Sequence, residues 1–276
     1  MAILSIQSRV TSGYVGNAAA VPILQGFRHD VWPIDTVAFS NHPAHGAFTG
    51  GVRPAAELAI LADGLARRGM FADCGVVLSG YLGSAETGPV VCDVAAKVRA
   101  AHPGALWCCD PVMGDNGRFY VADGITEFFR NQAIPAADLI TPNVFEAEFL
   151  SGISIRSVAD AVRAARALRE AGPATVIVTG IREGASIAAI AVTADSAWKS
   201  SSPFVDIPAH GAGDAFVALF VGHMLAGGRT DQALALAVSG IHALLESSVA
   251  ADDLMLVASL DKLVAPPCVF DVVALS

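Results

Sequence analysis

Short apolar segments alternate with longer segments of helical periodicity along the whole chain. Brief runs of Val, Ile and Leu are typical of buried strands, whereas apolar residues spaced three and four positions apart are typical of helices. The segments predicted as strands are 3–6, 31–36, 76–79, 106–110, 139–141 and 175–179, with a hairpin formed by 186–193 and 197–200. The segments predicted as helices are 17–26, 55–68, 89–101, 143–150, 158–171, 214–226, 230–245 and 251–258.

This alternation predicts the fold class. Strands that alternate with helices form a mostly parallel central sheet with helices on both faces, which is a three-layer α/β/α sandwich. No linker and no internal repeat divides the chain, so we expect one domain over residues 1–276. The segment from about 39 to 51 is rich in His, Gly and Pro, and it predicts an irregular flap attached to that domain.

Composition narrows the classes of function. The net charge of −9 over 276 residues argues against general binding of nucleic acid or anionic membranes, although helix N-termini can still bind phosphate. No uncharged apolar run reaches the length of about 18 residues that a membrane span needs. The segment Met1 to Ile6 lacks the basic start of a signal peptide. Five cysteines without a C-x-x-C pair indicate free thiols in a reducing cytoplasm.

The sequence Gly211-Ala212-Gly213-Asp214, which opens an apolar helix, is the strongest indication of chemistry. Two glycines allow the backbone to approach a ligand, and a helix start adds exposed N–H groups and a positive dipole end. These features predict an anion hole for a phosphoryl group, with Asp214 placed to accept a proton from a substrate hydroxyl. On these four residues alone, a simple helix cap at Asp214 explains the pattern equally well.

Two further acidic segments follow predicted strands. Asp110 and Asp115 come at the end of an apolar strand, where a parallel sheet presents its ligand crevice, and two carboxylates there are suited to hold Mg²⁺. Taken alone, this pair is better explained as an ordinary turn with solvated acids. Asn143 and Glu146, after Thr141 and Pro142, have the spacing of a capping box. The alternative is that both side chains point into the crevice, near metal and phosphate.

Ser8 follows the first predicted strand, and it is either a satisfied turn hydroxyl or a group over the crevice that binds a polar ring atom.

Other phosphate-binding motifs are absent. Phe216 takes the last place that G-x-G-x-x-G requires, and no Lys follows a Gly as a Walker A loop requires. There is also no G-x-S-x-G elbow and no H-E-x-x-H zinc helix.

Taken together, these segments resemble the pyridoxal kinase family of the ribokinase-like superfamily. The matching stretches occur in family order and span nearly the whole chain. They are Ser5-Ile6-Gln7-Ser8, Gly13-Tyr14-Val15-Gly16-Asn17, Phe39-Ser40-Asn41-His42, Ser79-Gly80-Tyr81-Leu82-Gly83, Cys109-Asp110-Pro111-Val112-Met113-Gly114, Thr141-Pro142-Asn143-Val144-Phe145-Glu146 and Gly211-Ala212-Gly213-Asp214. The last turn is shared by the superfamily, while the first four stretches look specific to pyridoxal kinases.

The resemblance implies a ribokinase-like fold and transfer of the ATP γ-phosphoryl group to the 5′-hydroxyl of pyridoxal, which yields pyridoxal 5′-phosphate. Pyridoxine and pyridoxamine are further candidate substrates. Asp214 would be the catalytic base, and the amides of Gly211, Ala212 and Gly213 would form the anion hole. The resemblance further implies a homodimer and makes a monovalent cation a candidate cofactor beside ATP and Mg²⁺.

The resemblance also implies the binding residues. Those that would surround Mg²⁺ are Asp110, Asp115 and Glu146. Those that would bind ATP are Asp110, Tyr120, Thr141, Asn143, Glu146, Thr179, Gly211 and Gly213. Those that would line the pyridoxal pocket are Ser8, Val15, Pro43, Tyr81 and Asp214. Thr179 is expected where its strand ends, and some relatives have Lys at this place.

Three positions depart from the family pattern. Pro43 replaces a Thr that touches substrate in the family flap, which removes a hydroxyl and an N–H donor and stiffens the segment. Arg9 replaces the usual His after Gln7 and Ser8. His45 follows in the flap and either covers the pocket or is solvated. These departures bear on which B6 vitamer is preferred more than on the type of reaction.

Two alternatives therefore stay open. One is a kinase of the same superfamily for hydroxymethylpyrimidine or a sugar, although the compact flap, Ser8 and Tyr81 argue against a sugar. The other is a non-catalytic protein that binds B6 vitamers, which the change to Pro43 would suit. Retention of Asp214 argues against it, because binding alone needs no base.

Overall fold

Twelve strands are found in the computed structural model, which describes residues 1–275, and ten of them form one continuous sheet. The strands are β1 (Ala2–Val10), β2 (Asp30–Phe39), β3 (Gly50–Val52), β4 (Cys74–Ser79), β5 (Leu106–Cys109), β6 (Gly114–Asp115), β7 (Arg118–Phe119), β8 (Leu139–Ile140), β9 (Thr175–Glu183), β10 (Ser186–Val192), β11 (Ala197–Pro203) and β12 (Val272–Leu275). The helices are α1 (Asn17–Gly26), α2 (Ala55–Arg67), α3 (Thr87–Ala101), α4 (Ile125–Phe128), α5 (Ile134–Ala136), α6 (Val144–Ser151), α7 (Val158–Glu170), α8 (Ala212–Leu225), α9 (Thr230–Ser247) and α10 (Leu260–Val264).

The centre of the sheet is parallel and its edges are antiparallel. The strand order is β12-β11-β10-β9-β8-β5-β4-β1-β2-β3, and strands β9, β8, β5, β4, β1 and β2 pair in parallel. The hairpin β10–β11, strand β12 and strand β3 add antiparallel pairs at the two edges. This is the three-layer α/β/α fold with a mostly parallel sheet that the sequence predicts.

Helices cover both faces of the sheet and enclose two apolar cores. On one face, Leu58, Val94 and Leu168 from α2, α3 and α7 are buried against the strands. On the other face, the buried residues come from α1, α8, α9 and α10. Because a central parallel strand is covered on both sides, its residues are buried almost continuously, as they are along β1.

Most predicted elements are present, but the helix predicted at 251–258 is wrong. That segment is a bend followed by a 3₁₀ turn at Val257–Ser259 and the short helix α10. The Ser248 hydroxyl accepts a hydrogen bond from the Met255 N–H (2.9 Å), while Leu254 and Leu256 are buried. The apolar spacing that indicated a helix therefore reflects two leucines that a loop inserts into the core.

The segment 39–51 connects β2 to β3 at one edge of the sheet. It contains a 3₁₀ turn at Pro43–His45, and β3 then returns antiparallel to β2, with Phe39 opposite Gly50. Residues 43–50 are exposed. That this segment works as a flap on a single domain stays a prediction. Among the helices of residues 1–275, none is both long and apolar enough to span a bilayer.

Candidate active site

A cleft of about 940 Å³ opens at the carboxyl ends of the parallel strands. Ligand sites in parallel α/β sheets lie at this edge, because loops from separate strands meet there. The cleft brings together every residue that the sequence analysis assigned to the site. They are Ser8, Val15, Pro43, Tyr81, Asp110, Asp115, Tyr120, Thr141, Asn143, Glu146, Thr179, Gly211, Ala212, Gly213 and Asp214.

The two glycines of the turn before α8 face different surroundings. Gly211 is the N-cap residue with φ of 90°, and a Cβ at this position would lie 1.7 Å from the carbonyl oxygen of Tyr14. Folding therefore requires glycine at 211. Gly213 lies within the helix, and a Cβ there would meet no protein atom within 4 Å. The space beside Gly213 is open to the cleft, as a turn that binds an anion requires.

Asp214 is the third residue of α8 and does not cap it. Gly211 takes the cap position, without a side-chain hydrogen bond, so the simple-cap interpretation of Asp214 is wrong. Burial raises the pKa of the Asp214 carboxyl to about 6, against the opposing effect of hydrogen bonds from the Gly16 and Asp214 N–H groups. A carboxylate with this pKa is a suitable general base near neutral pH, because it is ionised and still binds a proton readily.

Two buried carboxylates lie deeper in the cleft. The Asp110 carboxylate accepts a hydrogen bond from the Thr141 hydroxyl (2.9 Å). Burial, followed by the charges of Glu146 and Asp214, raises the pKa of Asp110 well above its usual range. The pKa of Glu146 is also raised, chiefly by burial. Since burial disfavours the ionised forms of both carboxyls, a cation in the cleft would stabilise those forms.

Glu146 has a structural role together with any role in the cleft. The predicted capping box of α6 is present: the Asn143 side chain accepts from the Glu146 N–H, and Glu146 accepts from the Asn143 N–H, both at 2.9 Å. The Glu146 carboxylate also accepts a hydrogen bond from the Met113 N–H (2.8 Å). The Asn143 amide donates to the carbonyl of Gly114 (2.8 Å). These two residues thus fasten α6 to the loop after Asp110 while they line the cleft.

The three predicted metal ligands do not form a ready-made metal cage. Residues 1–275 contain no group of three or more His, Cys, Asp or Glu side chains arranged to hold a metal ion. Asp115 is exposed, and its carboxylate accepts hydrogen bonds from the backbone and side chain of Asn116. Both carboxylate oxygens of Glu146 already accept hydrogen bonds from backbone N–H groups. Asp110 differs from these two residues, because it is buried in the cleft and its carboxylate accepts a hydrogen bond from the Thr141 hydroxyl and not from backbone N–H groups.

A small hairpin over the cleft was missed by the sequence analysis. Strands β6 and β7 pair across Asn116 and Gly117, whose φ values of 50° and 77° indicate a type I′ turn. The hairpin brings Asn116 and Arg118 to the cleft, next to the predicted Tyr120. An Asn-Gly pair is a strong hairpin signal, so these two residues could have been found from the sequence.

The hairpin is held against α6 by aromatic contacts. The Phe119 ring lies 4.8 Å from the ring of Phe145 and 5.0 Å from the ring of Phe149. The guanidinium of Arg130 lies over the Phe149 ring, 4.2 Å from its centre. This packing fixes the position of the hairpin above the buried carboxylates.

The predicted pyridoxal residues lie at the other end of the cleft. The pairing of β1 with β2 shifts register between Gln7 and Arg9, so Ser8 stands in a bulge that faces the cleft. Gly16 has φ of 53°, and a Cβ there would lie 2.1 Å from the Ser8 carbonyl oxygen. The close packing of these two segments positions Ser8 and Val15. Val37 and Phe39 of β2 also line this end and were not predicted.

The polar residue Asn17 supports this end from beneath. Its buried side chain accepts a hydrogen bond from the Ser5 hydroxyl (2.7 Å) and donates to the Asp35 carboxylate (2.8 Å). It also donates to the Ile34 carbonyl (3.2 Å). Asn17 thereby ties the start of α1 to both β1 and β2, directly after Gly16.

Thr179 does not end its strand, contrary to the sequence prediction. Strand β9 continues to Glu183, although Gly180 has φ of 81° and the pairing with β10 shifts register nearby. The backbone N–H of Thr179 donates to the Pro142 carbonyl (3.1 Å). Thr179 therefore still lies level with the end of β8 and lines the cleft.

Three histidines at the mouth of the cleft form a cluster that the hydrophobic pattern did not reveal. His42 and His210 line the cleft, and their rings are stacked with centres 4.3 Å apart. The rings of His42 and His45 are 6.3 Å apart. No spacing rule joins residues so distant in the chain, so only the fold could show this contact.

Comparison with known proteins agrees with this geometry. A family model described as "Phosphomethylpyrimidine kinase" matches residues 68–256. A pyridoxal kinase PdxY of Rubrobacter xylanophilus is 45% identical over 278 residues, which cover 98% of this chain and 96% of that protein. A pyridoxal kinase PdxY of Deinococcus radiodurans is 47% identical over 255 residues, covering 88% and 86%.

Solved structures show the same likeness. Pyridoxal kinase from Leishmania donovani in complex with ADP and pyridoxine is 29% identical, with a TM-score of 0.94, and the match covers 99% of each chain. The complex of the same enzyme with ADP and pyridoxamine matches equally well. The chain therefore belongs to the pyridoxal kinase family.

Proposed function

We propose that this chain is an ATP-dependent pyridoxal kinase, which transfers the γ-phosphoryl group of ATP to the 5′-hydroxyl of pyridoxal. The observation that supports it most directly is Asp214 in the cleft, with a raised pKa of about 6, beside the open space at Gly213. A hydroxyl held against Asp214 loses its proton to the carboxylate as it attacks the phosphoryl group. The α8 N-terminus stabilises the negative charge of that group.

The two ends of the cleft have different linings, as two different substrates require. Near α9, apolar side chains form a surface that suits the flat face of a nucleotide base. They are Ile187, Ala189, Phe204, Val205, Val238, Ile241 and Leu245. At the β1 end, Ser8, Val15 and Tyr81 supply hydroxyl and apolar groups that suit the pyridoxal ring. The phosphate chain would run between them, toward Gly213.

The charges of the cleft fit a requirement for Mg²⁺. Four carboxylates line it, from Asp110, Asp115, Glu146 and Asp214, and Arg118 is the one Lys or Arg among the described lining residues. ATP would be repelled by this surface without a cation. Asp110 would hold Mg²⁺ together with phosphate oxygens and water, with Glu146 nearby, and the bound metal neutralises charge on the phosphates.

Two further expectations belong to this proposal. We infer action in the cytoplasm, since the five cysteines are free thiols, as in a reducing compartment. We also infer a homodimer from the family. The description of the matching family model favours hydroxymethylpyrimidine as a second candidate substrate, so it has to be tested beside pyridoxal.

The deciding experiment measures ADP release with pyridoxal, pyridoxine, pyridoxamine and hydroxymethylpyrimidine in parallel, at fixed Mg²⁺ and ATP. We expect the highest kcat/KM with pyridoxal. If no vitamer raises the rate of ADP release above the ATPase background, the kinase function is rejected and a binding protein is favoured. A higher kcat/KM with hydroxymethylpyrimidine would transfer the assignment to that substrate.

Asp214→Asn tests the assigned base. We expect kcat to fall by about 10²–10⁴-fold, because the amide cannot accept the proton. In the wild type, kcat should fall as the pH drops below about 6, where Asp214 becomes protonated. Thermal melting supplies the control. The raised pKa means that the charged carboxylate opposes folding above that pH, so the variant should gain more stability at pH 8 than at pH 4. Unchanged kcat with a lower melting temperature would mean a structural role only.

A further inference from the structure

Two histidines from distant parts of the chain close one side of the cleft. His42 belongs to the 39–51 segment, and His210 immediately precedes the turn at Gly211. Their rings are nearly parallel, with an interplanar angle of 21° and centres 4.3 Å apart. We propose that His210 is a positioning residue that holds the 39–51 segment over the substrate end of the cleft by stacking on His42, and that protonation of this pair releases the segment.

The two rings differ in how they are anchored. His210 is attached to Gly211, whose position is fixed by close packing on the Tyr14 carbonyl. His42 precedes the 3₁₀ turn at Pro43–His45, and its Nδ1 accepts a hydrogen bond from the Ala44 N–H (3.3 Å). The stack joins this segment to the turn at Gly211, and the contact of His45 with Asp253 (3.5 Å) joins it to the loop before α10. His210 is thus the rigid partner and His42 belongs to the part that it positions.

Charged groups around the pair decide its protonation. His42 faces His210, His45 and Asp253, and His210 faces His45 and Asp253. The single carboxylate of this set, Asp253, approaches His45, with 3.5 Å between Oδ1 and Nε2. The described residues hold no metal site here, so the rings are not a ligand set. A proton on either stacked ring is therefore unfavourable.

The direction of the pH effect follows from these surroundings. Burial, followed by His210 and His45, lowers the pKa of His42 to about 4, and burial also lowers the pKa of His210. A released His42 titrates near 6.5. The equilibrium constant for closing of the segment is therefore largest above about pH 6.5 and decreases as the pH falls toward 4. Between pH 7.5 and pH 5.5 the closing equilibrium should decrease about tenfold.

The stack also explains how this chain tolerates Pro43. In the family resemblance this position supplies a hydroxyl to the substrate, and Pro43 cannot do so. A segment held from outside by His210 does not depend on that hydroxyl to stay closed. This last point rests on the proposed function, since it assumes that the covered end binds pyridoxal.

Hydrogen exchange of the free protein tests the proposal without any substrate. Amides of the segment are bonded within it, such as Ser40 N–H to the Thr49 carbonyl (2.8 Å) and Gly46 N–H to the Pro43 carbonyl (3.1 Å). After correction for intrinsic rates, protection of residues 40–50 in the wild type should fall about tenfold from pH 7.5 to pH 5.5. His42→Phe keeps an aromatic ring in the stack and removes the group whose pKa the closed arrangement lowers to about 4, so the fall should be less than about threefold.

His210→Ala removes the stack, and protection should be low at both pH values. His102→Phe, at a half-buried histidine on the Ala72 carbonyl, is the control and should behave as the wild type. His210→Phe is the second stacked variant, in case His42→Phe does not fold. Burial still lowers the pKa of His42 in it, so its fall should be smaller than in the wild type but not absent. Equal pH dependence in the wild type and the stacked variants would overturn the proposal, as would full protection in His210→Ala.

The dissociation constant for pyridoxal then connects the segment to binding. It should rise with falling pH in the wild type by a larger factor than in His210→Phe, and it should be high at both pH values in His210→Ala. Failure of the proposed function would appear as absent pyridoxal binding in the wild type. The exchange pattern, which needs no ligand, would still support or reject the role of His210.

Discussion

At the scale of the residue, the site separates what folding requires from what a ligand requires. Gly211 has a left-handed backbone and touches the Tyr14 carbonyl, so a purely structural turn would also need it. Gly213 has neither constraint, although glycine within a helix costs about 1 kcal/mol relative to alanine. A residue that weakens the helix and is not required by packing indicates a ligand that approaches the backbone there.

Alanine at the two positions should therefore act in opposite directions. Gly213→Ala should raise the free energy of unfolding by about 0.5–1 kcal/mol, because the helix gains a better former. It should also lower kcat and weaken ATP binding, because the methyl group enters the space for phosphate. Gly211→Ala should lower the free energy of unfolding through backbone strain and the clash with Tyr14.

Chemical denaturation and steady-state kinetics on both variants give the comparison. The interpretation of Gly213 would fail if Gly213→Ala kept the kinetic constants of the wild type. A loss of stability in Gly213→Ala would mean that folding needs this glycine as well.

At the scale of the element, helix α6 connects several parts of the site. Its capping box is formed by Asn143 and Glu146, and the same two side chains bond the loop after Asp110. Phe145 and Phe149, further along the helix, hold the β6–β7 hairpin. The start of one short helix thus orients a buried carboxylate, the hairpin over the cleft and the backbone that follows Asp110.

Two helix caps allow the structural and functional contributions to be compared. Asn143→Ala removes the cap of α6, and Ser157→Ala removes the cap of α7, where the hydroxyl accepts the Asp160 N–H (3.2 Å). Each should lower the free energy of unfolding by about 1 kcal/mol. Only Asn143→Ala should raise the Mg²⁺ concentration for half-maximal activity, because α7 lies outside the cleft. An equal Mg²⁺ requirement in both variants would mean that Asn143 acts only as the helix cap of α6.

Elements with strong local signals were predicted well, and those set by distant contacts were not. Helix α1 was predicted with its observed bounds, from the Gly16 turn to Gly26, and α7 nearly so, because an apolar stripe and the cap residue Ser157 define it. The 251–258 segment failed since its leucines are buried by the rest of the molecule. The β6–β7 hairpin was missed although the Asn-Gly pair indicates it.

At the scale of the whole molecule, the fold concentrates negative charge in the cleft. The chain carries a net charge of −9, and four of its carboxylates meet where the parallel strands end. The paired surface ions lie elsewhere, as in the contact of Lys97 with Asp63 (2.9 Å) on the α2 and α3 side. Under the proposed function, we therefore expect an anionic substrate to enter this cleft together with a cation.

Thermal melting in the presence of nucleotide should show this dependence. Mg²⁺ with ATP at about 100 times its dissociation constant should stabilise the protein by about 2.7 kcal/mol, and ATP alone at the same concentration by much less. Asp110→Asn should reduce the difference in stabilisation, here called the gap, between Mg²⁺ with ATP and ATP alone. The substitution removes both a charge that repels phosphate and a group that holds Mg²⁺. Asp63→Asn, on the outer surface, is the matched control and should leave the gap unchanged. A gap of wild-type size in Asp110→Asn would exclude Asp110 from metal binding.

The sequence by itself determined the fold class and the glycine turn that opens the helix of Asp214, because both depend on residues close together in the chain. It also determined the capping box of α6, whose two members are three positions apart. Only the tertiary structure decided that Gly213 faces open space, that Glu146 bonds the loop after Asp110, and that His210 stacks on His42. These facts depend on distances between segments far apart in sequence, which periodicity and spacing cannot encode.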